Sequence, residues 1–185
     1  ILNTHSSTRE RLPFYEKLYA AIFKITGKPA TILDLGCGIN PFSIPLMNLA
    51  KLNYYAYDLS EDEIETLNQF FDYLHTQNSS FTGTAGILDI LQWAKLSELG
   101  KVDVCFLFKM TDVLDRGKGH KVTELVIQNV PARYVVLSFP THTMSGKKMN
   151  VPRRNWMEWL CRRLKYKFKV LEFPGELFYV VRKIG

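Results

Sequence analysis

The chain has 185 residues, of which 46% are hydrophobic and 23% are charged, a globular composition that excludes a disordered protein. No apolar run approaches the roughly 18 residues of a transmembrane helix, and no basic-then-apolar leader opens the sequence. The three cysteines are widely spaced and the four histidines are scattered, so we expect no disulfide framework, no metal site and a cytoplasmic location. Because the sequence starts at Ile1 without a Met, we expect that further residues precede it.

Charge is distributed unevenly along the chain, whose net charge is +6. Residues 141–185 carry 11 Lys and Arg against 3 Asp and Glu, whereas residues 32–140 have a net charge of −5. The first 31 residues have a net charge of +3. A basic segment of this kind is typical of proteins with a polyanionic partner such as nucleic acid, but a solvated basic helix gives the same pattern.

Short β-branched and apolar runs alternate with helical runs along the sequence. Helices are predicted at residues 41–52, 60–74, 91–99, 120–129 and 153–165, the second of them capped by Ser60. Strands are predicted at residues 31–35, 54–57, 80–83, 102–108, 134–139, 167–173 and 176–182.

Repeated βα units predict an α/β fold: a doubly wound, Rossmann-like, mostly parallel seven-stranded sheet with helices on both faces. The last two strands are separated by Pro174 and Gly175, which predicts a hairpin and therefore one antiparallel strand. In such sheets the ligand lies beyond the carboxyl ends of the central strands, at the point where the strand order reverses.

The strongest motif is the segment ILDLGCGINP, residues 32–41. Gly36 and Gly38 lack a Cβ, so the chain can turn sharply there and a ligand can approach the backbone. A dinucleotide-binding fold needs a third glycine where this chain has Pro41, which argues against NAD and FAD. A P-loop is excluded because no Gly-Lys-Ser/Thr follows.

An acidic residue that ends a strand, here Asp34, followed by Gly-x-Gly resembles motif I of class I S-adenosylmethionine-dependent methyltransferases. This resemblance implies a second acidic residue after the next strand, where it accepts both ribose hydroxyls, and Asp58 is placed for that role. It implies a third polar residue near the adenine, and Asp89 fits. The alternative for each aspartate is a helix cap or a turn residue.

Four further segments indicate a particular family within these methyltransferases. They are HSSTRERL at residues 5–12, FLFK at 106–109, VLSFPT at 136–141 and ELFY at 176–179. In this order they resemble the aminoglycoside-resistance 16S ribosomal RNA methyltransferases, which methylate N7 of a guanine in the decoding site. The similarity runs from about His5 to the C-terminus. It implies an antibiotic-resistance enzyme whose cofactor is S-adenosylmethionine and whose partner is 16S rRNA within the small ribosomal subunit.

The resemblance also implies roles for individual residues around the cofactor. Arg9 would pair with the methionine carboxylate, since a guanidinium can hold a carboxylate through two parallel hydrogen bonds; the alternative is a surface arginine paired with Glu10 or Glu16. Lys109 would close strand four at the mouth of the site, as a positioning residue or as an ordinary strand-end lysine in solvent. The cofactor site as a whole would comprise Arg9, Asp34, Gly36, Gly38, Asp58, Leu88, Asp89 and Ile90, with Leu88 and Ile90 as the apolar walls of the adenine slot.

Family members carry a long helical N-terminal extension that helps them dock on the small subunit. We therefore expect residues 1–30 to be the remnant of a larger helical extension, and residues 31–185 to form the methyltransferase domain. RNA contacts are expected next to the VLSFPT loop, although position 142 is His where the family has Arg. The expected RNA-binding residues are His142, Lys147, Lys148, Arg153 and Arg154.

Trp156 and Trp159 share one face of the helix predicted at residues 153–165. We expect both tryptophans to pack that helix against the sheet, with a role in contacting RNA as the alternative.

The implied chemistry needs no general base, because neutral guanine N7 has a lone pair that can attack an electrophilic methyl group directly. Catalysis would then consist of positioning, which can contribute on the order of 7–11 kcal/mol when the reacting atoms are about 3–3.5 Å apart. We expect the enzyme to be a monomer without metal or membrane partners. Two alternatives stay open: a methyltransferase of the same fold acting on another RNA or a small molecule, and a non-catalytic ribosome-binding module.

Overall fold

Seven strands form one sheet in the computed structural model, which describes residues 2, 6–115, 119–143, 147, 149–150 and 152–183. Their order is β3-β2-β1-β4-β5-β7-β6, and β7 alone runs opposite to the other six strands, pairing antiparallel with both β5 and β6. The predicted seven-stranded, mostly parallel sheet with a C-terminal hairpin is therefore confirmed. The strands are β1 (Thr31–Leu35), β2 (Leu52–Asp58), β3 (Phe81–Ile87), β4 (Val102–Phe108), β5 (Ala132–Pro140), β6 (Lys167–Phe173) and β7 (Glu176–Arg182).

The described residues contain six α-helices and three 3-10 helices, of which the first three precede β1. No helix there is long and apolar enough to cross a membrane. The α-helices are α1 (Ser6–Arg11), α2 (Tyr15–Thr26), α3 (Glu61–Gln77), α4 (Thr111–Leu114), α5 (Lys121–Asn129) and α6 (Asn155–Arg163). The 3-10 helices are Leu12–Phe14, Asn40–Met47 and Trp93–Glu98.

Each face of the sheet has its own apolar core. On one face, α2 and α3 bury residues such as Leu18, Ile22 and Phe71 against the strands. On the other face, α5 and α6 do the same with residues such as Val126 and Met157. Because helix α2 contributes fully buried side chains, the N-terminal segment shares the core of the sheet.

The helix predicted at residues 41–52 is wrong in type and length. The chain forms only a 3-10 helix, Asn40–Met47, and the following residue Asn48 adopts a left-handed conformation with φ of 52°. Pro45 lies inside this segment and has no N–H to donate, so an α-helical ladder is not sustained there. Strand β2 consequently begins at Leu52, two residues before its predicted start.

Strand β3 extends four residues beyond its predicted end at Gly83. Gly83 lies inside the strand, where a Cβ would be only 2.5 Å from Cγ of Phe71. The glycine therefore allows helix α3 to pack closely on the sheet. The predicted cap of α3 is confirmed, since Ser60 Oγ accepts a hydrogen bond from the Glu63 N–H.

The strand order reverses beside β1, because β2 lies on one side of it and β4 on the other. The segments that leave the carboxyl ends of β1 and β4 therefore turn towards opposite sides of the sheet, which opens a crevice between them. The segments that follow β1, β2, β3 and β4 all meet at this edge of the sheet, where the candidate site lies.

Candidate functional site

A cleft of about 230 Å³ lies at this reversal point. Its walls are largely apolar, and its polar groups are two carboxylates, which is the character of a site for a small amphipathic ligand. Five of the predicted cofactor residues line it, and they follow the ends of three different strands. The lining residues are Gly36, Asp58, Leu59, Leu88, Asp89, Ile90, Leu91, Met110, Val113 and Leu114.

The loop that follows β1 is held to the end of β2 by its backbone. The N–H groups of Gly36 and Cys37 both donate to the carbonyl of Tyr57, at 2.9 and 3.1 Å. Gly36 has a φ of +65°, and a Cβ at this position would collide with Sδ of Met110. The left-handed backbone therefore favours glycine here, and a Cβ would also force the flexible side chain of Met110 to shift.

Asp58 ends β2 and joins the glycine loop to the cleft. Its Oδ2 accepts a 2.7 Å hydrogen bond from the N–H of Gly38, and its Oδ1 accepts a 2.7 Å bond from the N–H of Leu59. A carboxylate has about four lone-pair sites, so each oxygen can still accept a further hydrogen bond. Asp58 thus faces the cleft as a fixed acceptor pair.

The segment after β3 forms the apolar wall of the cleft. Ile90 is buried and Leu88 is half-buried, and both line the cleft. Asp89 lies between them, and its Oδ1 accepts a 2.9 Å hydrogen bond from the N–H of Leu91. Asp89 is therefore a turn residue, the alternative that its sequence position left open, and also a lining residue of the cleft.

Asp34 lies beneath the glycine loop instead of on the cleft, and only 1% of it is exposed. Its Oδ2 accepts hydrogen bonds from Tyr54 Oη at 2.6 Å and from Asn40 Nδ2 at 2.8 Å. Asn40 in turn accepts a 2.8 Å bond from Tyr15 of helix α2. Burial raises the pKa of Asp34 to about 6, although its hydrogen-bond donors lower it. Asp34 therefore supports the loop from below.

Helix α1 lies at the carboxyl end of β4. Glu10 and Lys109 establish this placement, because Oε2 of Glu10 accepts a 2.7 Å hydrogen bond from Nζ of Lys109. Arg9 is exposed on the same helix and has no ion pair with any other described residue, so pairing with Glu10 or Glu16 is not observed.

Lys109 has a left-handed backbone, with a φ of +56°. Its N–H donates to Oγ of the buried Ser138 at 2.9 Å, which ties the end of β4 to the end of β5. Left-handed non-glycine residues are uncommon and concentrate at functional sites. The amine is partly exposed, so it lies at the rim of the carboxyl edge.

The predicted RNA-binding residues differ in how far their charges are already engaged. His142 and Lys147 are exposed, and Lys148 lies outside the described residues. Arg153 is half-exposed and forms an ion pair with Glu158. Arg154 donates from its guanidinium to the carbonyls of Pro140 and Pro152 and lies 5.4 Å from the ring of Phe139.

The two tryptophans of helix α6 differ, so the expectation that both pack against the sheet is half wrong. Trp156 is half-buried, stacks on the His120 ring at 3.8 Å and meets the Phe139 ring edge-on. Trp159 is 61% exposed, with the Arg163 guanidinium 4.9 Å from its ring centroid. Trp159 therefore lies outside the buried face of helix α6, although it is only three residues from Trp156.

Sequence reasoning missed several residues that shape the site. Met110 and Val113 line the cleft from the segment after β4, and Asn40 connects Asp34 with helix α2. Met110 could have been found from the topology, because it follows the carboxyl end of a strand that neighbours β1. The Asn40 network has no signal in residue spacing, since its partners are brought together only by packing.

A family model described as ribosomal RNA methyltransferase (FmrO) matches residues 1–180. A relative from Micromonospora echinospora, named 16S rRNA (guanine(1405)-N(7))-methyltransferase, is 32% identical over 188 residues, covering 98% of this chain and 64% of its own length. A relative of the same name from Proteus mirabilis is 28% identical over 189 residues, covering 100% of this chain and 64% of its own length. The chain thus spans a little under two thirds of these curated relatives.

Two solved structures described as rRNA methylases are similar to this chain in fold. The solved structure of the 16S rRNA methylase ArmA superimposes with a TM-score of 0.77 at 28% identity, covering 99% of this chain and 89% of that one. An rRNA methylase from Escherichia coli also gives a TM-score of 0.77, at 22% identity, and covers 99% of this chain and 69% of that one.

Proposed function

Because the chain belongs to the ribosomal RNA methyltransferase (FmrO) family, we propose that it transfers a methyl group from S-adenosylmethionine to N7 of a guanine in 16S rRNA. The observation that carries this proposal is the cleft at the strand reversal, where Asp58, the glycine loop and an apolar wall meet. The names of the curated relatives support the choice of base and atom.

The residues of the cleft fit an adenosyl group. Leu88, Ile90 and Met110 offer apolar surface to a flat base, and the carboxylate of Asp58 offers acceptors to two adjacent hydroxyls. Gly36 has no Cβ, so the remainder of the cofactor could pass close to the backbone there once the Met110 side chain beside it shifts. When bound, S-adenosylmethionine supplies an electrophilic methyl group on a sulfonium.

Arg9 is the candidate for the methionine carboxylate. Its guanidinium is exposed on α1 at the carboxyl edge and carries a charge that no described acidic residue neutralises. A guanidinium fork can hold a carboxylate through two parallel hydrogen bonds. Arg9 would therefore orient the amino-acid end of the cofactor at the opening of the cleft.

The residues of the chain would contribute positioning instead of proton transfer. Neutral guanine N7 has a free lone pair, so no proton has to be removed from the base before it accepts a methyl group. Lys109 at the rim can position a phosphate of the substrate once it leaves Glu10. His142 and Lys147 are exposed beside this edge and can add phosphate contacts.

A cytoplasmic location and a monomeric state stay predictions from the sequence.

The test is methyl transfer from labelled S-adenosylmethionine to small ribosomal subunits, followed by mapping of the label. We expect one labelled guanine, modified at N7, in 16S rRNA. Label on small molecules with none on the subunit would contradict the proposed substrate. Saturable cofactor binding with no transfer to any acceptor would favour the non-catalytic alternative.

A further inference from the structure

A second groove lies at the edge of the sheet opposite the cleft. It encloses about 460 Å³, against about 230 Å³ for the cleft. The aromatic residues Tyr134 and Tyr166 form part of its wall. Three of its eight lining residues are cations, Lys167, Lys169 and Arg182, and none is acidic.

The register of the sheet explains why the three cations converge. Lys167 lies opposite Arg182, which lies opposite Tyr134, so the three residues form one row across β6, β7 and β5. Lys169 is two residues along β6 and therefore points to the same face of the sheet. Glu172, the acidic residue of β6, has the opposite parity and points to the other face.

The positive charge of this row is not neutralised by the protein around it. None of the three cations forms an ion pair with another described residue, and all three are exposed. Asp103 lies at the same edge of the sheet, but its Oδ2 already accepts from the N–H groups of Ala30 and Thr31. The groove therefore concentrates positive charge over apolar and aromatic surface, which suits a polyanion.

Lysines on an edge strand also prevent sheets from pairing edge to edge, and this could account for Lys167 and Lys169. It does not account for Arg182, because β7 is flanked by β5 and β6 and is not an edge strand. It also does not explain an open groove beside the C-terminal turn of α2, where Ile25 forms part of the wall.

We propose that this groove binds the phosphate backbone of the RNA substrate at a place remote from the methylated base. The inference rests on the proposed function, which supplies the polyanion. Pro140 at the carboxyl edge is six residue steps along β5 from Tyr134 in the groove, which corresponds to roughly 20 Å. The RNA segment in the groove is therefore different from the segment that reaches the cleft.

The test compares Lys167→Ala/Lys169→Ala with the wild-type protein in binding small ribosomal subunits at several salt concentrations. A phosphate contact contributes about 0.7 to 0.9 to the slope of log affinity against log salt, so we expect the slope to fall by about 1.4 to 1.8. Affinity at low salt should fall about tenfold. Affinity for S-adenosylmethionine should not change, and Lys167→Arg/Lys169→Arg should bind like the wild type.

The matched control is Lys51→Ala/Lys95→Ala, which removes the same charge from two exposed lysines outside the groove. If both double variants lose the same amount of salt dependence in subunit binding, the proposal is overturned, because the loss would then depend on net charge and not on the groove. Increased aggregation with unchanged subunit binding would also overturn it, in favour of edge protection. Failure of the proposed function is recognised separately, because the wild-type protein itself would then transfer no methyl group to small ribosomal subunits.

Discussion

Arg11 and Glu176 hold each other through two hydrogen bonds of 2.9 and 2.7 Å, with both side chains at most 3% exposed. Arg11 ends helix α1 and Glu176 begins strand β7, so the pair ties the start of the chain to its last hairpin. The guanidinium also lies 4.8 Å from the ring centroid of Phe108, at the end of β4. The pair therefore fixes α1, and with it Arg9, over the carboxyl edge.

Glu176→Gln should destabilise the protein strongly, because it leaves the Arg11 charge buried without a counter-charge. Breaking a buried pair in this way costs about 3–5 kcal/mol, whereas an exposed pair contributes at most about 1 kcal/mol. Glu10→Gln is the control, since it breaks the partly exposed pair with Lys109. Urea unfolding of both variants measures the difference. Similar losses of unfolding free energy in the two variants would contradict this assignment.

Gly36→Ala should lower stability and cofactor affinity more than Gly119→Ala does. Both glycines have a left-handed φ, +65° and +56°, but only at Gly36 would the Cβ meet Met110. Left-handed strain alone costs roughly 1–2 kcal/mol, and the collision adds to it at Gly36. Adding Met110→Ala to Gly36→Ala should recover part of the loss in thermal unfolding. No recovery would mean that the backbone conformation, and not the collision, sets the cost.

The pH dependence of stability should report the buried carboxyl of Asp34. Its pKa is raised from 3.8 to about 6, so between these values the folded protein binds more protons than the unfolded chain. The stabilisation is therefore complete below about pH 4 and is lost as the pH rises towards 6. The loss amounts to about 3 kcal/mol at most.

Asp34→Asn keeps an acceptor for Tyr54 and cannot titrate, so the difference in unfolding free energy between wild type and variant isolates this effect. We expect the wild type to lose stability relative to the variant between pH 4 and pH 6. A difference that stays constant over this window would show that Asp34 has an ordinary pKa in the folded state.

Lys109→Ala should reduce methyl transfer by about tenfold or more, with little change in affinity for S-adenosylmethionine, because the amine is at the rim and not in the cleft lining. Lys109→Gly separates two causes, since glycine also relieves the left-handed backbone. Equal loss of kcat in both variants assigns the effect to the amine. Retained activity in Lys109→Gly would assign it to the backbone.

The parts of the fold that follow from local pattern could be predicted from the sequence. The strand Val102–Phe108 is a continuous apolar run, and its predicted and observed bounds agree. Where tertiary packing decides, residue pattern is insufficient: strand β3 continues four residues past Gly83, where Phe71 of helix α3 packs closely on the glycine. The support of Asp34 by Tyr15 through Asn40 depends on distances that residue spacing does not contain.

Titration calorimetry of S-adenosylmethionine into wild-type protein and Asp58→Ala tests the central claim most directly. The carboxylate of Asp58 faces the cleft and is the proposed acceptor for the ribose, and a hydrogen bond to a charged group contributes about 1.5–3 kcal/mol. We expect one saturable site in the wild type and an affinity at least about tenfold weaker in Asp58→Ala. Absence of binding to the wild type, or equal affinity in the two proteins, would contradict the claim.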